Sequence, residues 1–132
     1  MAAPDPKSDP VYVIDELLLK PGCLEAFLSA MEARYRPGAE GRGQRLVQTL
    51  VTPPTETDGV AQSVILTWVL DGVAGFWTMR SQNSTEEVAA WWAECESFIQ
   101  SRSRRLAAEP GAIAGLEALG RLNGWACESS VR

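Results

Sequence analysis

Residues 11–22 have the sequence VYVIDELLLKPG, in which a run of β-branched and apolar residues ends at a Pro-Gly turn. This run predicts a β-strand whose successive side chains point to opposite faces. One face carries Val11, Val13, Asp15, Leu17 and Leu19, and the other carries Tyr12, Ile14, Glu16 and Leu18. Since both sets are mainly apolar, we expect this strand to be shielded from water on both sides.

A helix and two further strands are predicted after this strand. Apolar residues at helical spacing indicate a helix over residues 24–35, which Pro37 and the following glycine should end. Residues 44–52 and 62–70 are rich in apolar and β-branched residues and are separated by a polar turn. That pattern favours an antiparallel pair of strands.

Two helices are expected in the C-terminal half. Residues 71–82 predict a short helix capped by their first residue, an aspartate. The sequence STEE at residues 84–87 is typical of the start of a helix, which is expected to run to about Ala108 and to end before Pro110. Residues 112–119 are compatible with either a weak fourth strand or a short helix.

The length of 132 residues suits one domain. Residues 11–120 are expected to form this α+β domain, residues 1–10 a disordered lead and residues 121–132 a loose tail. The polar, proline-rich lead has no apolar core of a secretory signal.

One layer of helices can cover only one face of such a sheet. The first and third strands are nevertheless apolar on both faces. Burial of several hundred square ångströms at about 25 cal/mol per Å² stabilises a complex by roughly ten kilocalories per mole before association costs. The simplest partner is a second copy related by a two-fold axis, so we predict a homodimer.

Composition narrows the possible functions. The net charge of −5 and the pI of about 4.7 disfavour nucleic acid and anionic membranes as partners. The absence of histidine excludes His-ligated metal sites and His-activated nucleophiles, and we predict no cofactor. Three cysteines form no disulfide or metal pattern and suit a reducing cytoplasm. No apolar run approaches the ~18 residues that span a bilayer.

Four segments together resemble a known group of proteins: ELLLKPG at residues 16–22, the helix over residues 24–35, the strand pair 46–51 and 65–70, and IQSRSRRL at residues 99–106. They resemble the dimeric α+β barrel superfamily, and especially its antibiotic-biosynthesis-monooxygenase-like and NIPSNAP-like members. The resemblance implies a ferredoxin-like antiparallel sheet with helices on one face, doubled into a dimeric α+β barrel. It also implies small-molecule pockets between each sheet and its own helices. The lack of histidine separates this chain from the His-dependent haem-degrading members.

Aromatic side chains are the first candidates for a binding site. The chain has five tryptophans, where average usage predicts roughly one or two. Trp77, Trp91 and Trp92 project from the predicted helices, with Phe76 next to the first of them. If Trp68 lies on the helix-covered face of the sheet, these rings wall one cavity for a planar aromatic ligand. Plain core packing is the alternative.

Three charged residues are the candidate catalytic groups. Asp15 and Glu16 are neighbours on a strand, so one should point into the cavity and the other into the dimer interface. A buried carboxylate can act as a general acid or base. Arg80 falls on the apolar stripe of its helix and could stabilise an enolate. The alternatives are a salt bridge from a carboxylate across the interface or to Arg42 or Arg45, and a surface ion pair for the helical arginine.

Other polar residues are weaker candidates. Those for substrate binding are Tyr12, Tyr35, Gln48 and Asn83. A basic group is interpreted as the solvated end of a helix, and it consists of Arg102, Arg104 and Arg105.

Three functions remain open from the sequence. The first is a small cofactor-independent enzyme of cyclase, dehydratase, isomerase or monooxygenase type, acting on an apolar aromatic or polycyclic compound in specialised metabolism. The second is a non-catalytic carrier or sensor that uses the same pocket. The third is a structural dimer without a cavity. Trp68 discriminates among them, because it must face the helices to line a pocket.

Overall fold

The computed structural model describes residues 10–72, 75, 76, 79, 85–114 and 117. Four strands are present in these ranges: β1 (Val11–Leu19), β2 (Arg45–Thr52), β3 (Ser63–Leu70) and β4 (Ile99–Ala107). The helical elements are α1 (Leu24–Ala30), a π-helical turn (Met31–Tyr35), α2 (Arg36–Gly41), α3 (Glu86–Cys95) and a 3₁₀ turn (Pro110–Ala112).

The strands form one antiparallel sheet in the order β2-β3-β1-β4. In its register, Asp15 of β1 lies opposite Leu66 of β3 and Arg104 of β4. A bulge interrupts the β2–β3 pairing between Leu46 and Gln48. With helices on one face, this is the ferredoxin-like α+β arrangement expected from the sequence.

The two faces of the sheet differ in how far they are shielded from solvent. Along β1, the odd-numbered residues are buried and the even-numbered residues are half-buried. The buried set packs against α1, the π-helical turn and α3 in one hydrophobic core. Trp68 of β3 belongs to this core and is fully buried, so it lies on the helix-covered face. The opposite, open face carries the half-buried side chains of β1 and their cross-strand neighbours.

Strand β4 corrects the prediction for the C-terminal half. The helix expected to reach Ala108 ends at Cys95, and Ile99–Ala107 forms the sheet edge beside β1. Its serines and arginines lack the apolar alternation that signals a strand, although charged residues suit a sheet edge. The interpretation of the three arginines as a helix end is therefore wrong. Of the two alternatives for residues 112–119, a short helix agrees with the described residues 113, 114 and 117, which are helical.

The first helix also runs further than predicted. Pro37 does not end it, because this proline lies in the first turn of α2, directly after the π-helical turn, where its missing N–H is not needed. The helix ends instead in a Schellman motif. Gly43, with φ of +90°, donates to the Glu40 carbonyl at 3.0 Å, and the Gln44 N–H donates to the Ala39 carbonyl at 2.9 Å.

Other expectations are met where the structure describes them. Residues 72, 75, 76 and 79 are helical, in agreement with a helix after β3. The next helix, α3, has Thr85 as its N-cap, and the Thr85 Oγ1 accepts a hydrogen bond from the Val88 N–H at 3.4 Å. Residues 1–9 and 118–132 lie outside the described residues. In the described part of the chain, no helix is both long and apolar enough to cross a membrane.

Candidate functional site

Asp15 is the polar centre of the layer between sheet and helices. It is only 3% exposed. Its Oδ1 accepts a hydrogen bond from Arg104 Nε at 2.6 Å, and its Oδ2 accepts from Arg104 Nη2 at 2.9 Å and from Trp68 Nε1 at 3.1 Å. A buried carboxylate needs this degree of pairing. The salt bridge thus joins neighbouring strands, and its partner is neither Arg42 nor Arg45.

Arg104 stays charged in this setting. Burial favours the neutral guanidine and would lower the pKa of Arg104. The hydrogen bonds and the negative charge of Asp15 outweigh burial and raise the pKa of Arg104 above its ordinary value. The same guanidinium donates through Nη2 to the Tyr35 hydroxyl at 3.3 Å. Asp15, Arg104 and Tyr35 therefore form a continuous chain of hydrogen bonds.

The hydroxyl of Tyr35 is the chemically available end of that chain. Tyr35 is the last residue of the π-helical turn and is 4% exposed. Its oxygen accepts from Arg104, and its proton has no acceptor among the described residues, so that proton can be donated to a ligand. A phenol held in this way, with a cation behind it, is suited to donate to an oxygen that gains negative charge.

Indole rings surround Tyr35 and form with it a group that we call the aromatic cluster: Tyr35, Trp68, Trp91 and Trp92. The Tyr35 ring stacks on Trp91, with centroids 5.3 Å apart and an interplanar angle of 21°. It meets Trp68 edge-on at 5.7 Å and Trp92 at 5.7 Å. Trp92 is half-buried, and the exposed Arg102 covers its ring at 3.8 Å. The cluster therefore reaches the surface between α3 and β4.

The open face holds a separate group of candidates. Glu16 is 42% exposed in its side chain and pairs with Arg105 at 3.4 Å. Tyr12 lies on the same face of β1, and Gln48 pairs across to Thr67 on that face. These three residues are therefore not in the layer that contains Asp15. As expected, the two neighbouring carboxylates point to opposite sides of the sheet.

The predicted site residues thus fall into three groups. Asp15, Tyr35, Trp68, Phe76, Trp91 and Trp92 belong to the helix side, and Tyr12, Glu16 and Gln48 belong to the open face. Trp77, Arg80 and Asn83 lie outside the described residues.

Sequence reasoning missed Arg104, Arg42 and Gln44 as site residues. Arg104 would have been found had residues 99–107 been read as a strand, since it then faces Asp15. The other two follow α2 and are 6% and 0% exposed, respectively. Nothing in their spacing signals such deep burial of polar side chains.

Cys95 is a buried core residue of α3. It is fully buried, and burial is the main cause that raises the pKa of its thiol to about 12. The thiolate needed for nucleophilic chemistry is therefore rare near neutral pH.

Comparisons with known proteins bear on the fold. No protein-family model and no curated protein matches the sequence. A NIPSNAP family protein of unknown function from Agrobacterium tumefaciens superposes with a TM-score of 0.59 at 14% identity, over 76% of this chain and 88% of that one. An uncharacterised NIPSNAP domain protein from Burkholderia xenovorans gives 0.56 at 14% identity, over 74% and 92%.

A third solved structure, from Nitrosomonas europaea, is of a protein described as a candidate antibiotic biosynthesis monooxygenase. It gives a TM-score of 0.52 at 10% identity and covers 78% of this chain and 92% of that one. At these identities the likeness concerns the fold alone. The chain has the α+β fold that these NIPSNAP and monooxygenase-like structures share, which confirms the predicted resemblance at that level.

Proposed function

We propose that this chain binds an aromatic or polycyclic small molecule between its helices and its sheet and converts it without a cofactor. The reaction would be cyclisation, dehydration, isomerisation or oxygenation of an enolisable carbonyl compound. One observation supports this proposal most strongly. A buried tyrosine hydroxyl, Tyr35, is held by a guanidinium ion and lies beside flat indole surfaces.

In this proposal, the Tyr35 hydroxyl donates a hydrogen bond to the substrate carbonyl oxygen while water accepts the proton that the substrate carbon loses. Negative charge develops on that oxygen as the substrate enolises, and the charge of Arg104 behind the phenol stabilises it. Asp15 acts as a positioning residue, because its oxygens are occupied by donors and it fixes the Arg104 guanidinium. Trp91 and Trp92 hold the ring system and exclude water.

The main alternative is binding without conversion, and one observation favours it. Asp15 is the only buried carboxylate among the described residues, and Arg104 and Trp68 already engage it. Among the described residues of the helix side, no free carboxylate is therefore available as a strong base. Reactions in which an acidic substrate gives its own proton to water fit the site better than those that need such a base.

The open face supports the further proposal that the protein is a homodimer. Ile14, Leu18 and Ile65 are only half-buried there, and Leu50 is 47% exposed. Glu16 and Arg105 lie on the same face and have opposite charges, so a two-fold axis could pair them between subunits. Dimerisation would cover these apolar side chains while leaving the helix side free for the ligand.

Anthrone, an enolisable tricyclic ketone, is a suitable probe for the proposed function. We expect it to quench tryptophan fluorescence saturably and, in air-saturated buffer, to react with O2 to give anthraquinone and water faster with protein than without it. Tyr35→Phe should lower the conversion rate by about a hundredfold. Tyr12→Phe, the matched change on the open face, should leave the rate unchanged.

The outcomes separate the candidates. Saturable quenching without conversion would support the carrier. An equal rate for Tyr35→Phe and wild type would remove the proposed role of the hydroxyl. Absence of saturable quenching would count against binding in the helix–sheet layer.

A further inference from the structure

Arg42 is a buried guanidinium with unused donors. It is 6% exposed, and its Nε and Nη2 atoms have no hydrogen-bond partner among the described residues. Burial of a charged donor without an acceptor is costly, so native proteins fill such positions with water, an ion or a ligand. The proposed function and the network of Asp15 make no use of this arginine.

The unused atoms define what could bind. Nε and Nη2 lie on the same edge of a guanidinium, and two parallel N–H groups there match the two oxygens of a carboxylate. Arg104 shows this match within the same protein, since its Nε and Nη2 hold the two oxygens of Asp15. Arg42 therefore presents the same pair of donors as Arg104, and no carboxylate of the described residues is bonded to them.

The position of Arg42 places this edge beside the aromatic cluster. Its guanidinium carbon lies 5.4 Å from the Tyr35 ring centroid, within the range of a cation–π contact. Glu87 is near the other side of the guanidinium. A Cβ added to Gly38 would lie 3.1 Å from Arg42 Nη1 and 3.0 Å from Glu87 Oε1. The Nη1 side thus has an acidic neighbour, whereas the Nε and Nη2 atoms have no acceptor among the described residues.

Gln44 is a second buried polar group of the same turn. It is 0% exposed, and neither its Nε2 nor its Oε1 has a hydrogen-bond partner among the described residues. Its neighbour Arg45 pairs with Val69 on the open face. Gln44 directly precedes β2 and is fully buried, so its side chain lies on the covered side rather than beside Arg45. The hydrogen bonds of the Schellman motif around Gly43 fix the backbone that carries these two side chains.

We propose that Arg42 is the carboxylate-binding residue for an aromatic carboxylic acid. Its Nε–H and Nη2–H donate to the two carboxylate oxygens, Gln44 hydrogen-bonds a neighbouring polar atom, and the ligand ring lies against the aromatic cluster. This inference rests on the proposed function and narrows its substrate class from apolar aromatic compounds to aromatic carboxylates.

A pair of probes tests the proposal by isothermal titration calorimetry. 2-Naphthoate carries the carboxylate, and 2-naphthamide is its neutral counterpart of nearly equal shape. Wild-type protein should bind the naphthoate about ten- to a hundredfold more tightly, because charge-assisted hydrogen bonds form only with the anion. Arg42→Met should abolish this preference. Arg36→Met, a matched change at an exposed arginine of the same helical segment, should keep it.

Each outcome decides between the claims. Equal binding of both probes to wild type would overturn the carboxylate site, whose donors would then be hydrated, while the aromatic pocket would stand. Binding of neither probe would overturn both. An unchanged preference in Arg42→Met would place the anion elsewhere and overturn the inference.

Two further measurements test the proposal even if Arg42→Met fails to fold. Arg42→Lys keeps the charge but lacks the paired N–H edge, so it should retain only part of the preference. In wild-type protein, the Arg42 Nε–H resonance should shift on addition of 2-naphthoate and stay in place with 2-naphthamide. If the Arg42 Nε–H resonance shifts with neither probe while calorimetry shows binding, Arg42 is not the carboxylate-binding residue.

Discussion

Replacement of Arg104 by methionine tests the buried network most severely. Methionine keeps much of the side-chain volume but removes two of the three hydrogen bonds to Asp15, at 2.6 and 2.9 Å. Asp15 is 3% exposed and would keep only the Trp68 indole N–H. Loss of one partner from a buried ion pair costs about 3–5 kcal/mol. Because a quarter of the Arg104 side chain is exposed, we expect about 2–4 kcal/mol here.

The assay is urea unfolding at one fixed protein concentration, since the stability of the proposed homodimer would depend on concentration. In a thermal scan, the same loss corresponds to a fall in the melting temperature of about 10 °C. Arg36→Met is the matched control, because Arg36 pairs with Glu32 and Glu40 on the exposed helix surface. Its effect should be small.

A second substitution separates the charge effect from lost packing. Asp15→Asn in the Arg104→Met background removes the unpaired charge and still offers an oxygen to Trp68. The double variant should therefore be less destabilised than the sum of the two single variants, by at least about 1 kcal/mol. Strict additivity, or an Arg104→Met effect as small as that of Arg36→Met, would refute the reasoning.

Three further predictions concern the indole donor, the open face and the buried thiol. Trp68→Phe keeps a ring but removes one donor to Asp15, and it should cost about 1 kcal/mol plus packing in urea unfolding; no loss would mean that the 3.1 Å bond is not formed. If the proposed homodimer forms through the open face, Ile65→Lys should give monomer in native mass spectrometry, whereas Val60→Lys, at an exposed loop residue, should not; a dimer that survives Ile65→Lys would place the interface elsewhere. Burial raises the pKa of Cys95 from 9.0 to about 12, so the unfolded chain loses this proton first and stability should fall as the pH rises through that window. Cys95→Ala should flatten the fall, and identical pH profiles for the two proteins would contradict the shift.

The sequence was sufficient for the half of the fold that has strong periodicity. In β1, full alternation over nine residues predicted both faces, and the structure places Asp15 and Glu16 on opposite sides as expected. Strands β2 and β3 were also predicted within one residue of their bounds. The pattern failed at β4, because an edge strand needs no apolar face and its arginines and serines look like a solvated helix end.

The candidate site was only partly predictable for the same reason. Trp68, Trp91 and Tyr35 follow from spacing, since each lies on an apolar stripe. Arg104 depends on the strand assignment that was missed. The positions of Arg42 and Gln44 could be predicted only if the helix were known to continue past Pro37. The hydrogen bonding of the π-helical turn allows that continuation, but local helix propensity does not reveal it.

The most direct test is where an aromatic probe binds. In a nuclear magnetic resonance titration with anthrone, the Trp68 indole N–H reports on the interior between helices and sheet, because it donates to the buried Asp15. The backbone N–H of Thr67, whose side chain lies on the open face, serves as the reference. We expect a saturable shift of the Trp68 indole resonance that is larger than that of Thr67. A Trp68 resonance that stays in place while Thr67 shifts would put the ligand on the open face and contradict binding between helices and sheet.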